Sequence, residues 1–221
     1  MSARAVVFDL WETLVDWPHA ESERVRRSWS ERLGITLERL DRLWYEPAAY
    51  RLRESGPLAP AVRELCAAVG SDADVEELIE WRRELTRRAL VPRDGVLETL
   101  AELRRRGVRT GLITNCTEDV VQVWAEGPLS ESFDGSVFSS TAGLVKPDPR
   151  IYELACEELA VAPDACLFVG DGANDELGGA ARVGMTPVLI HAAGALPRWE
   201  PLRDWSGLRV TAVAQVLELV L

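Results

Sequence analysis

Ala5-Val6-Val7-Phe8-Asp9-Leu10-Trp11-Glu12-Thr13-Leu14 is the stretch on which the fold turns. Its first four residues are an unbroken apolar run containing β-branched side chains, which predicts a strand buried on both faces. Asp9 ends that run and sets a charge at the strand's carboxyl end. From about Trp17 to Val91 the pattern changes to charged, amphipathic segments. Helices are expected at His19–Leu33, Leu37–Trp44, Pro57–Val69 and Asp74–Leu90, separated by breaks at Gly34, Pro47, Gly56 and Gly70-Ser71. No strand is expected in this region.

After Pro92 the rhythm alternates between strand and helix. Asp94 is read as capping a helix through Arg106, and Asp148-Pro149 as opening one that runs to about Leu159. Strands are expected at Arg109–Thr114, Ser136–Ser139, Ala165–Val169, Pro187–Ile190 and Leu208–Thr211, with helices at Thr117–Ala125, Ala173–Val183 and the carboxyl end. Such alternation predicts an α/β fold, a Rossmann-like doubly wound parallel sheet with helices on both faces. The core is expected at residues 1–16 and 92–221, with an all-helical insertion at 17–91. The connections at Leu14–Pro18 and Leu90–Arg93 are the expected hinges.

Composition narrows the function. The 221-residue chain carries 25 basic and 36 acidic residues, a net charge of −11, and no basic run, so nucleic acid is not an expected partner. No apolar stretch approaches the roughly 20 residues that span a bilayer, and no export signal is read at the amino end, so neither a membrane association nor secretion is expected. Cys66, Cys116, Cys156 and Cys166 are scattered, as befits reduced thiols in a cytoplasmic protein. Monomer and homodimer are both left open.

Ligands of an open parallel sheet bind beyond the carboxyl ends of its strands. Four polar groups fall there: Asp9, Thr114-Asn115, Lys146 within Lys146-Pro147-Asp148-Pro149, and Asp171 with Asp175 within Gly170-Asp171-Gly172-Ala173-Asn174-Asp175. Taken singly, each has a plainer explanation: a capped turn, a helix cap, a surface lysine, a glycine turn. Together they set three carboxylates on one rim, where they repel unless a cation joins them. All-oxygen ligands of this kind suit Mg²⁺. Lys146 is also the chain's single lysine among 25 basic residues.

In order and spacing, Val7–Leu14, Leu112-Ile113-Thr114-Asn115, Lys146–Pro149 and Val169–Asp175 resemble the motifs of the haloacid dehalogenase-like (HAD) superfamily of hydrolases. The helical stretch resembles that family's type 1 cap. The resemblance implies Asp9 as a nucleophile that forms an aspartyl-phosphate, with Thr114 and Asn115 binding the phosphoryl group. It implies Lys146 as a catalytic cation that also contacts the phosphoryl group. Asp9, Asp171, Asp175 and the Trp11 carbonyl are implied as ligands of Mg²⁺. The implied activity is Mg²⁺-dependent hydrolysis of a small anionic phosphorylated metabolite.

Trp11 departs from the pattern, because phosphatases of the family usually carry a general-acid Asp there. That acid–base help is typically worth about 10²–10⁴ in rate. An aromatic at this position, where it can line the substrate pocket, leaves two alternatives beside the phosphatase: a 2-haloacid dehalogenase-type hydrolase, or a phosphate-binding relative with little turnover. Trp17, Trp29, Trp44 and Tyr45 are candidates for the pocket roof, and Arg24, Arg51 and Arg53 for an anion contact.

Overall fold

The computed structural model describes residues 3–192, 194, 197 and 199–220. Six parallel strands form one sheet: β1 (Ala5–Phe8), β2 (Arg109–Thr114), β3 (Gly135–Phe138), β4 (Cys166–Gly170), β5 (Thr186–Ile190) and β6 (Leu208–Val210), in the order β3-β2-β1-β4-β5-β6. The order reverses between β1 and β4. Their pairing sets Phe8 opposite Val169, so Asp9 and the loop after Gly170 leave the sheet side by side. This is the doubly wound α/β arrangement that the strand–helix rhythm predicts.

Alternation along β1 explains its unbroken apolar run. Val6 and Phe8 join one core layer with Leu100, Leu103 and Val123, while Ala5 and Val7 join the other with Ile151, Tyr152 and Leu159. The first layer packs under α6 (Val96–Arg105), α7 (Glu118–Trp124) and α11 (Val216–Leu219), and the second under α9 (Pro149–Leu159) and α10 (Glu176–Arg182). Asp148 caps α9 by accepting from the Arg150 amide at 3.0 Å, with Pro149 at the first helical position. A short helix, α8 (Ser139–Ala142), follows β3.

Between β1 and α6 lie α1 (His19–Leu33), α2 (Leu37–Trp44), α3 (Pro47–Glu54), α4 (Leu58–Val69) and α5 (Val75–Ala89), and no strand falls between them among the described residues. They surround a core of their own, with Trp29, Leu40, Trp44, Val62 and Leu78 at its centre. Trp29 is inside that core, donating its indole N–H to the Leu78 carbonyl at 3.1 Å. The chain leaves for this helical unit and returns from it side by side. Val15 bridges Pro92 in antiparallel sense, and the Arg93 amide donates to the Leu14 carbonyl at 2.8 Å. The Arg93 guanidinium ties the junction further, to the Glu12 and Thr13 carbonyls and the Glu12 carboxylate.

Two departures from the sequence reading matter for the site. Pro47 opens α3 rather than breaking a helix: Glu46 accepts from the Ala48 and Ala49 amides, and proline suits a first turn that has no use for its missing N–H. The helix expected from Ala173 is also interrupted, because Asn174 (φ 52°) and Asp175 (φ 57°) are left-handed and α10 starts only at Glu176. Asp94 forms no cap; Gly95 stands at the start of α6 without a side-chain hydrogen bond. All four cysteines are buried free thiols. No helix among the described residues is long and apolar enough to cross a membrane.

Candidate active site

Lys146 is at the centre of the rim. Its Nζ donates to Asp9 Oδ1 and to Glu176 Oε2, each at 2.5 Å, and its side chain is buried. Asn115 fixes the lysine's backbone from β2: its Oδ1 accepts from the Lys146 amide at 2.8 Å and its Nδ2 donates to the Lys146 carbonyl at 3.2 Å. The ammonium lies 5.6 Å from the centre of the Phe168 ring. Asn115 therefore positions the lysine through its side chain, beyond the contact with substrate expected of it.

Glu176 is the functional residue that the sequence reading missed. The two left-handed residues before it explain the substitution. They turn Asp175 outward, where its carboxylate pairs with Arg182 at 2.8 Å, and turn the next residue inward. Glu176 Oε1 accepts from the Gly172 amide at 2.9 Å, and Tyr152 donates its hydroxyl to the Glu176 carbonyl at 2.9 Å. Gly170 is required beside it, because a Cβ there would collide with the Glu176 carboxylate and with Phe168. The only sequence signal for this residue was an acid just inside the start of a helix on the rim.

Asp9, Asp171 and Glu176 each offer a carboxylate oxygen within 4.8 Å of the others, and all three are buried. Asp171 Oδ1 accepts from the Ala173 amide at 3.0 Å, and Oδ2 accepts from the Trp199 indole at 3.1 Å. Burial, with Asp171 nearby, raises the Asp9 carboxyl above its ordinary range despite Lys146. Burial likewise pushes Glu176 up to about 8. For Lys146, burial opposes the charge, but the two carboxylates outweigh it and the ammonium is held above its usual value. If all three carboxylates are to ionise, one ammonium leaves two negative charges uncompensated. An all-oxygen donor set with that deficit matches a divalent cation such as Mg²⁺.

These groups open into a cavity of about 420 Å³. Asp9, Asn115, Lys146, Asp171 and Glu176 line its floor. Trp11 lines it too, half-buried and edge-on to Trp17 with ring centres 4.8 Å apart. Thr114 is wholly buried and does not line it; its hydroxyl makes one long hydrogen bond, 3.4 Å, to the Asn115 carbonyl. Trp44, Tyr45, Tyr50, Arg53 and Glu54 of the helical unit line the cavity as well, while Arg24 and Arg51 are exposed. The unit is held onto the core by α5 against α7. Arg82 donates to Thr117 Oγ1 at 2.9 Å and pairs with the wholly buried Asp119 at 3.4 Å. Burial opposes the Asp119 charge, but Arg82 and the neighbouring hydroxyls hold its carboxyl below the usual range.

The family model of haloacid dehalogenase-like hydrolases matches residues 3–184. The chain belongs to that family. Within this hydrolase family the relatives divide between two chemistries. A protein named as a phosphatase, from Mycobacterium tuberculosis, is 33% identical over 224 residues, covering 94% of this chain and 96% of its own length. An (S)-2-haloacid dehalogenase from Burkholderia cepacia is 27% identical over 208 residues, covering 90% and 87%. The crystal structure of a 2-haloacid dehalogenase from Pseudomonas syringae superposes with a TM-score of 0.75 at 25% identity, covering 99% of this chain and 98% of that one.

Proposed function

We propose that this hydrolase is a Mg²⁺-dependent phosphatase acting on a small phosphorylated metabolite through an aspartyl-phosphate on Asp9, with residues 17–91 serving as its cap. The observation that carries the reading is the cluster of Asp9, Asp171 and Glu176 around Lys146. Hydrolysis of a carbon–halogen bond has no need of a divalent cation, and three buried carboxylates would then share the single ammonium of Lys146.

Asp171 and Glu176, with an oxygen of Asp9 and the Trp11 carbonyl, would hold Mg²⁺; Asp175 is proposed only as an outer partner, since it faces Arg182. Mg²⁺ would supply the neutralisation that lets an anionic carboxylate approach an anionic phosphate. Asp9 attacks phosphorus, its new O–P bond forming as the bond to the leaving oxygen breaks, and water then cleaves the acyl phosphate. Lys146 orients Asp9 and offsets charge on the phosphoryl oxygens. Thr114 gives up only a long hydrogen bond if its hydroxyl turns toward those oxygens, and the Asn115 amide is the second donor. Trp11 offers no exchangeable acid, so leaving groups that depart without a proton are favoured.

The experiment is phosphate release from a panel of phosphate esters, with and without Mg²⁺, for the native protein and Asp9→Asn. Metal-dependent release that the variant loses supports the proposal, and its absence across the panel refutes it. The dehalogenase reading rests on Trp11 and on the Burkholderia relative. Halide release from 2-haloacids that persists in EDTA would establish it instead.

A further inference from the structure

The three carboxylates of the rim are each aimed by hydrogen-bond donors, but not by donors of the same kind. Lys146 Nζ donates to Asp9 and to Glu176, and the Gly172 amide donates to the second oxygen of Glu176. Asp171 receives nothing from the lysine among the described residues. Its Oδ1 accepts from the Ala173 amide at 3.0 Å, inside its own loop. Its Oδ2 accepts from the Trp199 indole at 3.1 Å, a donor 28 residues further along the chain and beyond β5.

Core packing does not account for that indole. Trp199 is 38% exposed and lines the active-site cavity. Its backbone, by contrast, is fixed. The Leu202 amide donates to the Trp199 carbonyl at 3.0 Å, and the Trp205 amide to the Leu202 carbonyl at 3.1 Å. Trp205 ties the segment to β6: its indole donates to the Leu208 carbonyl at 3.1 Å, and its carbonyl accepts from the Arg209 Nε at 2.9 Å. Leu202 is seated on the loop that carries Asp171. Gly172 is left-handed there (φ 87°), and a Cβ on it would collide with the Leu202 side chain. Residues 199–205 are thus pressed against the Asp171-Gly172 loop and hold the indole N–H on Asp171.

The choice of donor has a chemical consequence. One donor on each oxygen fixes the rotation of the Asp171 side chain. Both donors are neutral, so they orient the carboxylate without cancelling its charge, and each oxygen keeps a lone pair. Asp9 and Glu176 instead share the ammonium of Lys146. Among the described residues, Asp171 is therefore held in place without being paired to a cation, which is the state that a metal ligand requires.

We propose that Trp199 is a positioning residue for the divalent cation, its indole N–H holding Asp171 in the orientation in which that carboxylate ligates the ion. This rests on the Mg²⁺ reading for the identity of the ion. Hydrogen bonds to a ligating group from outside the ligand set are typically worth about 10–100-fold in metal affinity.

The test is calorimetric titration of Mg²⁺ alone into the native protein, Trp199→Phe, Trp205→Phe and Asp171→Asn, with thermal melts in the absence of metal. Phenylalanine keeps the aromatic bulk and removes only the N–H, and the ring at 199 is exposed enough that its replacement does not threaten the fold. Trp205→Phe removes an N–H from the same segment that does not reach Asp171. In Trp199→Phe the Kd for Mg²⁺ is expected to rise at least about tenfold, and in Trp205→Phe by less than roughly threefold. The metal-free Tm of Trp199→Phe is expected to fall no further than that of Trp205→Phe. An unchanged Kd in Trp199→Phe overturns the proposal. So does an equal loss of affinity in Trp205→Phe, because the defect would then belong to the seating of the segment and not to the N–H. If the native protein binds no Mg²⁺, or Asp171→Asn binds it as tightly as the native protein does, the Mg²⁺ reading itself falls and takes this inference with it.

Discussion

Replacing Lys146 with arginine keeps the charge and changes only the shape of the group that carries it. Both hydrogen bonds from Nζ are 2.5 Å long, to carboxylates carried by two separate elements, and the side chain is 4% exposed. The backbone cannot retreat, because Asn115 holds both the amide and the carbonyl of Lys146. Phe168 and Tyr152 are fully buried in the adjoining core layer, so a larger planar head group has nowhere to expand. Overpacking of this kind costs about 1–3 kcal/mol. For a domain of this size each kcal/mol lowers Tm by roughly 2–4 °C, so a fall of about 2–12 °C is expected for Lys146→Arg. Displacing Asp9 by even ~1 Å should reduce turnover by about 10²-fold. Differential scanning calorimetry and Mg²⁺-dependent release of p-nitrophenol from its phosphate read the two effects separately. A variant with native Tm and activity within about threefold of the native protein would show that the site requires a cation of any shape, and the geometric reasoning would fail.

Trp11→Asp is expected to raise turnover of simple alkyl phosphates by up to about 10²-fold, if a missing proton donor limits them; steady-state kinetics check it, and no gain would assign the indole to shaping the pocket. Without divalent cation, the raised carboxyl of Glu176 binds a proton more tightly folded than unfolded, so stability should fall as pH rises from about 4.5 toward 8. Added Mg²⁺ should raise Tm more at pH 8 than at pH 5, and Glu176→Gln should flatten that dependence; pH-resolved thermal melts read it. Arg82→Met strands Asp119 in the α5–α7 contact and should cost about 3–5 kcal/mol in urea unfolding. Gly170→Ala, by displacing the Glu176 carboxylate, should weaken Mg²⁺ binding in calorimetry.

The sheet was legible because its strands are buried on both faces. An apolar run such as Ala5–Phe8 needs no partner to be recognised, and the groups that end such runs, Asp9 and Thr114, could be placed on the rim in advance. Lys146 and Asp171 also lie where their neighbouring strands and helix put them. What escaped was decided by backbone chemistry at single residues. Pro47 carries the same letter whether it stops a helix or starts one; the Glu46 side chain chooses, and with it came α3 and the roof residues Tyr50 and Glu54. Asp175 and Glu176 are adjacent acids, and only the left-handed turn at Asn174 and Asp175 says which of them faces Lys146. Burial of Arg53 depends on Trp44, Tyr45 and Tyr50 gathering around it, which follows from the turn between α2 and α3 that the Pro47 reading missed.

The bridge between Val15 and Pro92 joins the two ends of the helical unit at one point on the core. A segment whose ends already touch can be exchanged for another of different length without drawing the strands apart, since the distance it must close stays the same. The nucleophile and its lysine therefore lie on a chassis whose spacing does not depend on the length of the segment above it, provided that segment still supplies a cation for the buried Asp119. Grafting the corresponding segment of a relative between Val15 and Pro92 would transplant a roof while leaving the chemistry of the floor in place. What such a protein recognises and what it does to it are, in this architecture, separable inheritances.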